Sequence, residues 1–422
     1  MARTLTTKDA YQIINLMVKE ATGQDATIQA VDPSTFVSVG ETVLATGVEN
    51  TLNALSMVLG RTFMAVRPYN AKLGTLNSIN SGLYANRLRK ISFYAREAVI
   101  DGASNTDIKT NFSDGYDNGS NSSASAPSMW EQNAPMPLEM NFGGSSEWQT
   151  VTTVYEKQLQ VAFRGPEEFI AFVNGILTEK GNDIESEKEA FNRMTLLNAM
   201  AGVYDLSASM PGSAINLTTE YNNFFSTNYS TSQLLSNYLP SFLEFFTSEV
   251  KMISDRMTNR STKYHWPVTK TISGVTYNVL RHTPRDRQKL LIYKPFWYKA
   301  ESIVKPAIFN PEYLDFGNFE GVDFWQNEFD SSSISVTPAI PDVTLATGEQ
   351  TAGTSVTLDY VLGFMFDEDA LMVDYQFDSA TTTPLEARKH YRNMWWTMRK
   401  NAICDFTENM ILLYMDDSGV TP

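Results

Sequence analysis

The chain has one cysteine, Cys404, and three histidines, His265, His282 and His390. One thiol excludes a disulfide framework and a cysteine-based zinc cage. Histidines this far apart leave little material for a metal site or a histidine-dependent triad. No apolar run approaches ~18 residues, so no membrane span is expected. The opening MARTLTTKDAYQ carries no apolar signal core, so no secretory leader is expected either. The motifs HExxH, GxSxG, GxxxxGK[ST] and GxGxxG do not occur, which removes the commonest signatures of metalloprotease, hydrolase and nucleotide-binding chemistry. Basic residues are in deficit, 33 against 48 acidic ones, for a net charge of −15. That balance disfavours sequence-specific nucleic-acid binding, which needs a basic footprint. What remains is a chain suited to a reducing cytoplasm. At 422 residues and 42% hydrophobic, it can bury a sizeable core in two or three domains.

Charge is segregated along the chain. Residues 61–100 sum to +6 and residues 101–150 to −6; residues 281–305 sum to +5, and 306–378 hold fourteen acids with no Lys or Arg. Blocks of opposite sign suit self-association, a basic face of one copy meeting an acidic face of the next. Equally, they are solvated faces that cancel within one chain.

Periodicity predicts alternating helical and extended stretches. Thr6 and Asp9 resemble a capping box ahead of Tyr11, Ile14, Met17 and Val18. Leu44, Val48, Leu52, Leu55 and Leu59 predict a second helix over 41–60. The period then becomes two: Ile91, Phe93 and Ala95 on one strand, Met136, Leu138, Met140 and Phe142 on another, and Val151 to Phe163 on a third. Between them, 101–128 (with GYDNGSNSSASAPS) is too polar to build a core. The whole reads as a long β-hairpin with a flexible acidic tip, and a lone hairpin is marginal in water, so it should lie on another subunit. Pro166 opens a helix, and a second runs from Gly181 to about Tyr204. An Asn/Ser/Thr-rich insertion is expected over 206–236, and a helix from Pro240 carrying Phe242, Phe246, Val250, Ile253 and Met257. Short strands are expected at 276–280, 290–293 and 322–325, a helix near 295–304 and a loop at 331–356. Strands at 360–366, 370–377 and 410–415 close the chain around a charged segment, 385–400.

Side chains with chemical potential are few. Asp367, Glu368, Asp369 and Asp374 lack the spacing and turn glycine of a calcium loop and read as a solvated turn. Cys404 reads as a buried, inert thiol. Trp395 and Trp396, adjacent on a strand, should face opposite sides. No catalytic residue, metal ligand or cofactor is expected.

The order of these elements resembles the major capsid proteins of tailed bacteriophages, whose Johnson fold is shared with herpesvirus floors and encapsulin shells. The resemblance covers roughly 38–415 and is nearest to short-tailed phages. Its carriers are VSVGETVLATGVENTLNALSMVLGRTFMAV as N-terminal arm, NRLRKISFYAREAVID with VTTVYEKQLQVAF as extended hairpin loop, ESEKEAFNRMTLLNAMAGVYD as spine helix, 232–330 as axial domain, and HYRNMWWTMRKNAICDFTENMILLYM as the returning segment. It implies an α+β fold with an arm over 1–60, an extended loop over 61–163, a peripheral domain over 164–231, an axial domain over 232–340, and a return to the peripheral sheet over 341–422. It further implies a virion structural protein that self-assembles as hexamers and pentamers in the host cytoplasm into the icosahedral head. A separate scaffolding protein, a portal at one vertex and head decoration proteins are the implied partners. Double-stranded DNA would be touched only non-specifically, and no membrane is involved. No helical extension precedes the arm, so a fused scaffolding domain is not expected. Arg87, Arg89, Lys90, Arg96, Asp114 and Asp117 are the candidate intersubunit contacts. An encapsulin-like compartment, a tail protein and a carboxylate-based hydrolase are the alternatives.

Overall fold

The computed structural model describes residues 7–23, 29–46, 73, 76–79, 87–94, 136–143, 146–155, 158, 161, 163, 165–272, 275–299, 319–341, 350–418 and 420. Two helices come first, α1 (Thr7–Thr22) and α2 (Pro33–Ala45). The second starts well before the predicted 41–60 because the Asp32 carboxylate accepts from the Thr35 amide at 2.8 Å, while the Thr35 hydroxyl accepts from the Asp32 amide at 3.0 Å. This reciprocal box, with Pro33 in the first turn, fixes the start. The expected continuation through Val48, Leu52, Leu55 and Leu59 lies outside the described residues.

One helix of 40 residues, α3 (Pro166–Asp205), replaces the two expected with a break at Gly181. At ~1.5 Å per residue it runs about 60 Å. A mid-helix glycine costs only about 1 kcal/mol, too little to stop a helix held at both ends. Near its start, Phe169 and Val173 pack with Ile14, Met17, Phe36, Val39, Met394 and Trp396. Near its end, Leu196, Met200 and Val203 join Trp325, Phe364, Phe366 and Phe406.

The polar stretch after α3, expected as an insertion, holds regular secondary structure. It holds a short strand, β5 (Ala214–Asn216), and the helices α4 (Leu217–Phe225) and α5 (Thr231–Ser236). Its polar residues are caps: Asn216 accepts from the Thr218 amide at 3.1 Å, Ser230 and Gln233 form a capping box, and the buried hydroxyls of Thr218 and Thr231 meet at 2.9 Å. Helix α6 (Leu239–Met257) follows as expected and buries Phe242, Phe246, Val250, Ile253 and Met257.

Two larger sheets organise the rest, strands being numbered in chain order. The five-stranded sheet runs β5, β17 (Met410–Met415), β14 (Tyr360–Asp367), β8 (Gln288–Tyr293), β9 (Phe319–Val322), and packs against α6 through Leu290, Ile292, Leu362, Ile411 and Leu413. The four-stranded sheet runs β1 (Asn77–Ile79), β15 (Leu371–Thr382), β16 (Tyr391–Cys404), β4 (Ser146–Tyr155). The expected loop at 331–356 instead contributes small ladders, β10 (Ile334–Val336) with β13 (Val356–Leu358) and β11 (Ala339–Pro341) with β12 (Gln350–Ala352), because Ile334, Val356 and Leu358 fill the core around Trp325. A further ladder pairs β6 (Thr269–Ile272) with β7 (Val275–Asn278), and residues 294–299 are helical. The charged segment 385–400 lies mostly in β16.

The hairpin pairs differently from expectation. β2 (Arg87–Phe93) lies against β3 (Pro137–Gly143), while β4 pairs along its length with β16. Beyond Tyr155 the period-two pattern is not extended: residues 158 and 161 are helical, and buried Phe163 stacks on Phe169 at 5.5 Å. The apolar core at the head of α3 claims Phe163. The fold is thus α+β, with the strands sorted into separate sheets around one long helix.

Candidate assembly surface

Alternation in a strand pair gives the hairpin two faces. Arg89, Ile91 and Phe93 point outward, with Ile91 52% and Phe93 58% exposed. Arg89 pairs across the strands with Glu139 at 2.8 Å, and Asn141 donates to Glu139 at 3.3 Å. The inner face carries Lys90, buried Ser92 and the half-buried Tyr94, with Leu138 and Met140 buried against Val279. Two large apolar groups are thus exposed side by side on a two-stranded ribbon.

Lys90, one of the expected intersubunit contacts, is paired within its own chain. Its ammonium donates to Asp405 at 2.5 Å and to Glu408 at 2.7 Å. Arg281 completes the group, 3.3 Å from Glu408 and donating to the Thr407 carbonyl at 3.0 Å. Burial pulls the Lys90 pKa down, but Asp405 and Glu408 together outweigh it and hold the ammonium above its ordinary range. Burial also opposes ionisation of Asp405, yet Lys90 and the Thr407 bonds hold that carboxyl below its usual range. For Glu408 burial wins over the attraction of Lys90 and Arg281, and its pKa rises. Both acids sit in the turn between β16 and β17. The sequence signal was DFTEN, an Asp two residues before a Thr whose amide and hydroxyl it accepts, at 2.9 and 2.7 Å.

Of the other expected contacts, Arg89 lies on the outward face and Arg87 lies in β2 opposite Gly143. Arg96, Asp114 and Asp117, with the whole tip 101–128, lie outside the described residues. Part of the charge segregation is neutralised internally. Arg287 pairs with Glu368 at 2.6 Å and Asp369 at 3.2 Å, and Lys294 with Asp323 at 3.2 Å, so the basic block at 281–305 meets acids of 306–378 within one chain.

The Asp367 group is not simply a solvated turn. Asp367 and Asp374 are buried, and Asp367 accepts from the Thr283 hydroxyl at 2.7 Å. Cys404 is buried, and burial pushes its thiol pKa far up, away from nucleophilic use. Trp396 is buried while Trp395 faces outward beside Val151, so the two indoles do part. His265 is buried with its ring nitrogens 2.9 and 3.1 Å from the carbonyls of Trp266 and Ser261, and burial lowers its pKa. No helix of the described residues is long and apolar enough to cross a membrane. The surface offers contact area and fixed charge, which suits association.

No family model and no curated protein matches the chain. Among solved structures it is similar to a chain in the capsid of Staphylococcus phage Andhra, at 12% identity and TM-score 0.49 over 83% of this chain and 85% of that one. It is similar to a chain in the structure of the head fiber and inner core protein gp22 of bacteriophage P68, at 11% identity and TM-score 0.49 over 82% and 85%. A chain in the capsid of cyanophage P-SCSP1u gives 10% identity and TM-score 0.40 over 83% and 89%.

Proposed function

We propose that this chain is the major capsid protein of a tailed bacteriophage, a non-catalytic subunit that assembles into the icosahedral head. The observation that carries the reading is the outward face of the β2–β3 hairpin. It exposes Arg89, Ile91 and Phe93 on a ribbon whose strands pair only with each other among the described residues. A ribbon of this kind is marginal alone and gains stability by lying on another surface. Repetition of one such contact by symmetry builds a closed shell without any active site. The element order supports the same reading: helical arm, hairpin, long helix, helices packed on a five-stranded sheet, and a late return to the four-stranded sheet.

The proposed division is an arm over 1–60, an extended loop over 61–163, a peripheral domain over 164–231 completed by 341–422, and an axial domain over 232–340. Hexamers and pentamers, a separate scaffolding protein, a portal and decoration proteins, assembly in the host cytoplasm, and non-specific contact with packaged DNA belong to the proposal. A net charge of −15 keeps that contact loose. Sedimentation velocity of the purified chain tests the association. Rings or larger closed species growing with concentration are expected, and a monomer at every concentration and ionic strength would overturn the proposal.

A further inference from the structure

We propose that Lys90 is the positioning residue of the hairpin. Its ammonium, seated between Asp405 and Glu408, locks β2–β3 onto the turn joining the two larger sheets and sets the direction in which Arg89, Ile91 and Phe93 face a second copy. The inference rests on the reading of the chain as a self-assembling subunit.

Among the described residues, no backbone ladder links the hairpin to either larger sheet. Its described inner-face attachments are the apolar contact of Leu138 and Met140 with Val279 and Val268, a long bond of 3.4 Å from the Thr407 hydroxyl to the Met140 sulfur, and the charged contact of Lys90. Apolar contact is non-directional and lets a ribbon slide or tilt. Two charge-assisted bonds at 2.5 and 2.7 Å are directional.

The anchor itself is rigid. The Asp405 amide donates to the Ala370 carbonyl at 2.8 Å, the Trp266 amide to the Phe406 carbonyl at 2.7 Å, and the Asn409 side-chain amide to the Thr283 hydroxyl at 3.1 Å. The turn ends β16 of one sheet and begins β17 of the other, so a hairpin fixed there is fixed to both. Two cations, Lys90 and Arg281, balance two anions, Asp405 and Glu408, with buried His265 as the neighbouring titratable group. Ion pairs of this kind add little net stability against an apolar replacement, and their best-attested use is to specify one geometry.

The test compares Lys90→Met with Lys90→Met/Glu408→Gln in the unassembled chain, by amide hydrogen exchange and thermal melting. Lys90→Met keeps the apolar stem and removes the link. The double variant restores charge balance, one cation to one anion, without restoring the link. Exchange in 87–94 and 137–143 should rise at least about tenfold in both variants while β14 and β17 stay protected. The double variant should recover the melting temperature lost by the single one. Hairpin protection that is unchanged in Lys90→Met, or restored in the double variant, would overturn the proposal, as would global unfolding of both. Exchange is read without assembly, so failure here is distinct from failure of the shell reading.

Discussion

At the level of single residues, the Lys90 cluster shows how burial and pairing divide the work. Asp405 is held below its ordinary value of 3.8. It therefore stabilises the fold at pH values above that point, and the contribution is lost as pH falls through the depressed value. Asp405→Asn should cost about 3 kcal/mol at neutral pH, since one partner of a buried pair is removed. The gap to the parent chain should close as urea midpoints are followed below pH 4. A gap constant from pH 7 to pH 2 would contradict the pairing. Glu408 has the opposite sign. Its raised pKa means the fold binds a proton more tightly than the unfolded chain does, so stability falls as pH rises from the ordinary value of 4.5 towards the raised one. Glu408→Gln should remove that slope. The local Asp405–Thr407 turn is legible in DFTEN, but its pairing with Lys90 is not, because Lys90 and Asp405 are over three hundred positions apart. Composition showed a basic strand, but only the alternation of faces separates inward Lys90 from outward Arg89.

Among the elements, periodicity was a good guide wherever one face is apolar and a poor one where polar residues do structural work. Helix α6 and strands β14 and β17 follow from the spacing of Phe242, Phe246 and Val250 and from runs such as MILLYM. The stretch 206–236 misled because Asn216 and Ser230 are caps, whose value depends on neighbours that composition does not reveal. Gly181 misled for the converse reason, since a glycine signals a helix end only where nothing else holds the helix. Two substitutions in α3 should therefore have opposite signs. A Cβ at Gly181 meets nothing within 4 Å, so Gly181→Ala should stabilise by about 0.5–1 kcal/mol. A Cβ at Gly202 would overlap the Phe406 ring, so Gly202→Ala should cost about 1–3 kcal/mol despite the better helix propensity. Guanidinium unfolding of both variants checks the pair, and equal signs would contradict the continuous, two-core helix. The partners of strands were the least legible feature: β3 and β4 are neighbours in sequence with similar alternation, yet they belong to different sheets.

For the whole molecule, the segregated charge divides between internal pairs and exposed surface. The block at 281–305 meets acids of 306–378 within the chain, whereas Arg89 stays at the surface with a partly exposed partner, Glu139. Exposed pairs contribute roughly 0.2–1 kcal/mol each, but a closed shell repeats each contact many times. Reversing Arg87 and Arg89 to Glu should slow assembly followed by light scattering and leave the subunit's thermal melt nearly unchanged. Raised salt should mimic the effect in part, because exposed charges are screened beyond about 8 Å at physiological ionic strength. Assembly at the parental rate across a salt series would leave these two arginines without a role. Deleting 101–128 should likewise preserve a folded subunit, since so polar a stretch adds little core, and should weaken particle formation. Parental particles at parental yield would deny the tip any docking role. The central claim is that this chain closes on itself into a shell, and negative-stain electron microscopy of the assembled material tests it most directly. The account predicts closed icosahedral particles of uniform diameter; open tubes, or a field of dispersed subunits under every assembly condition, would contradict it.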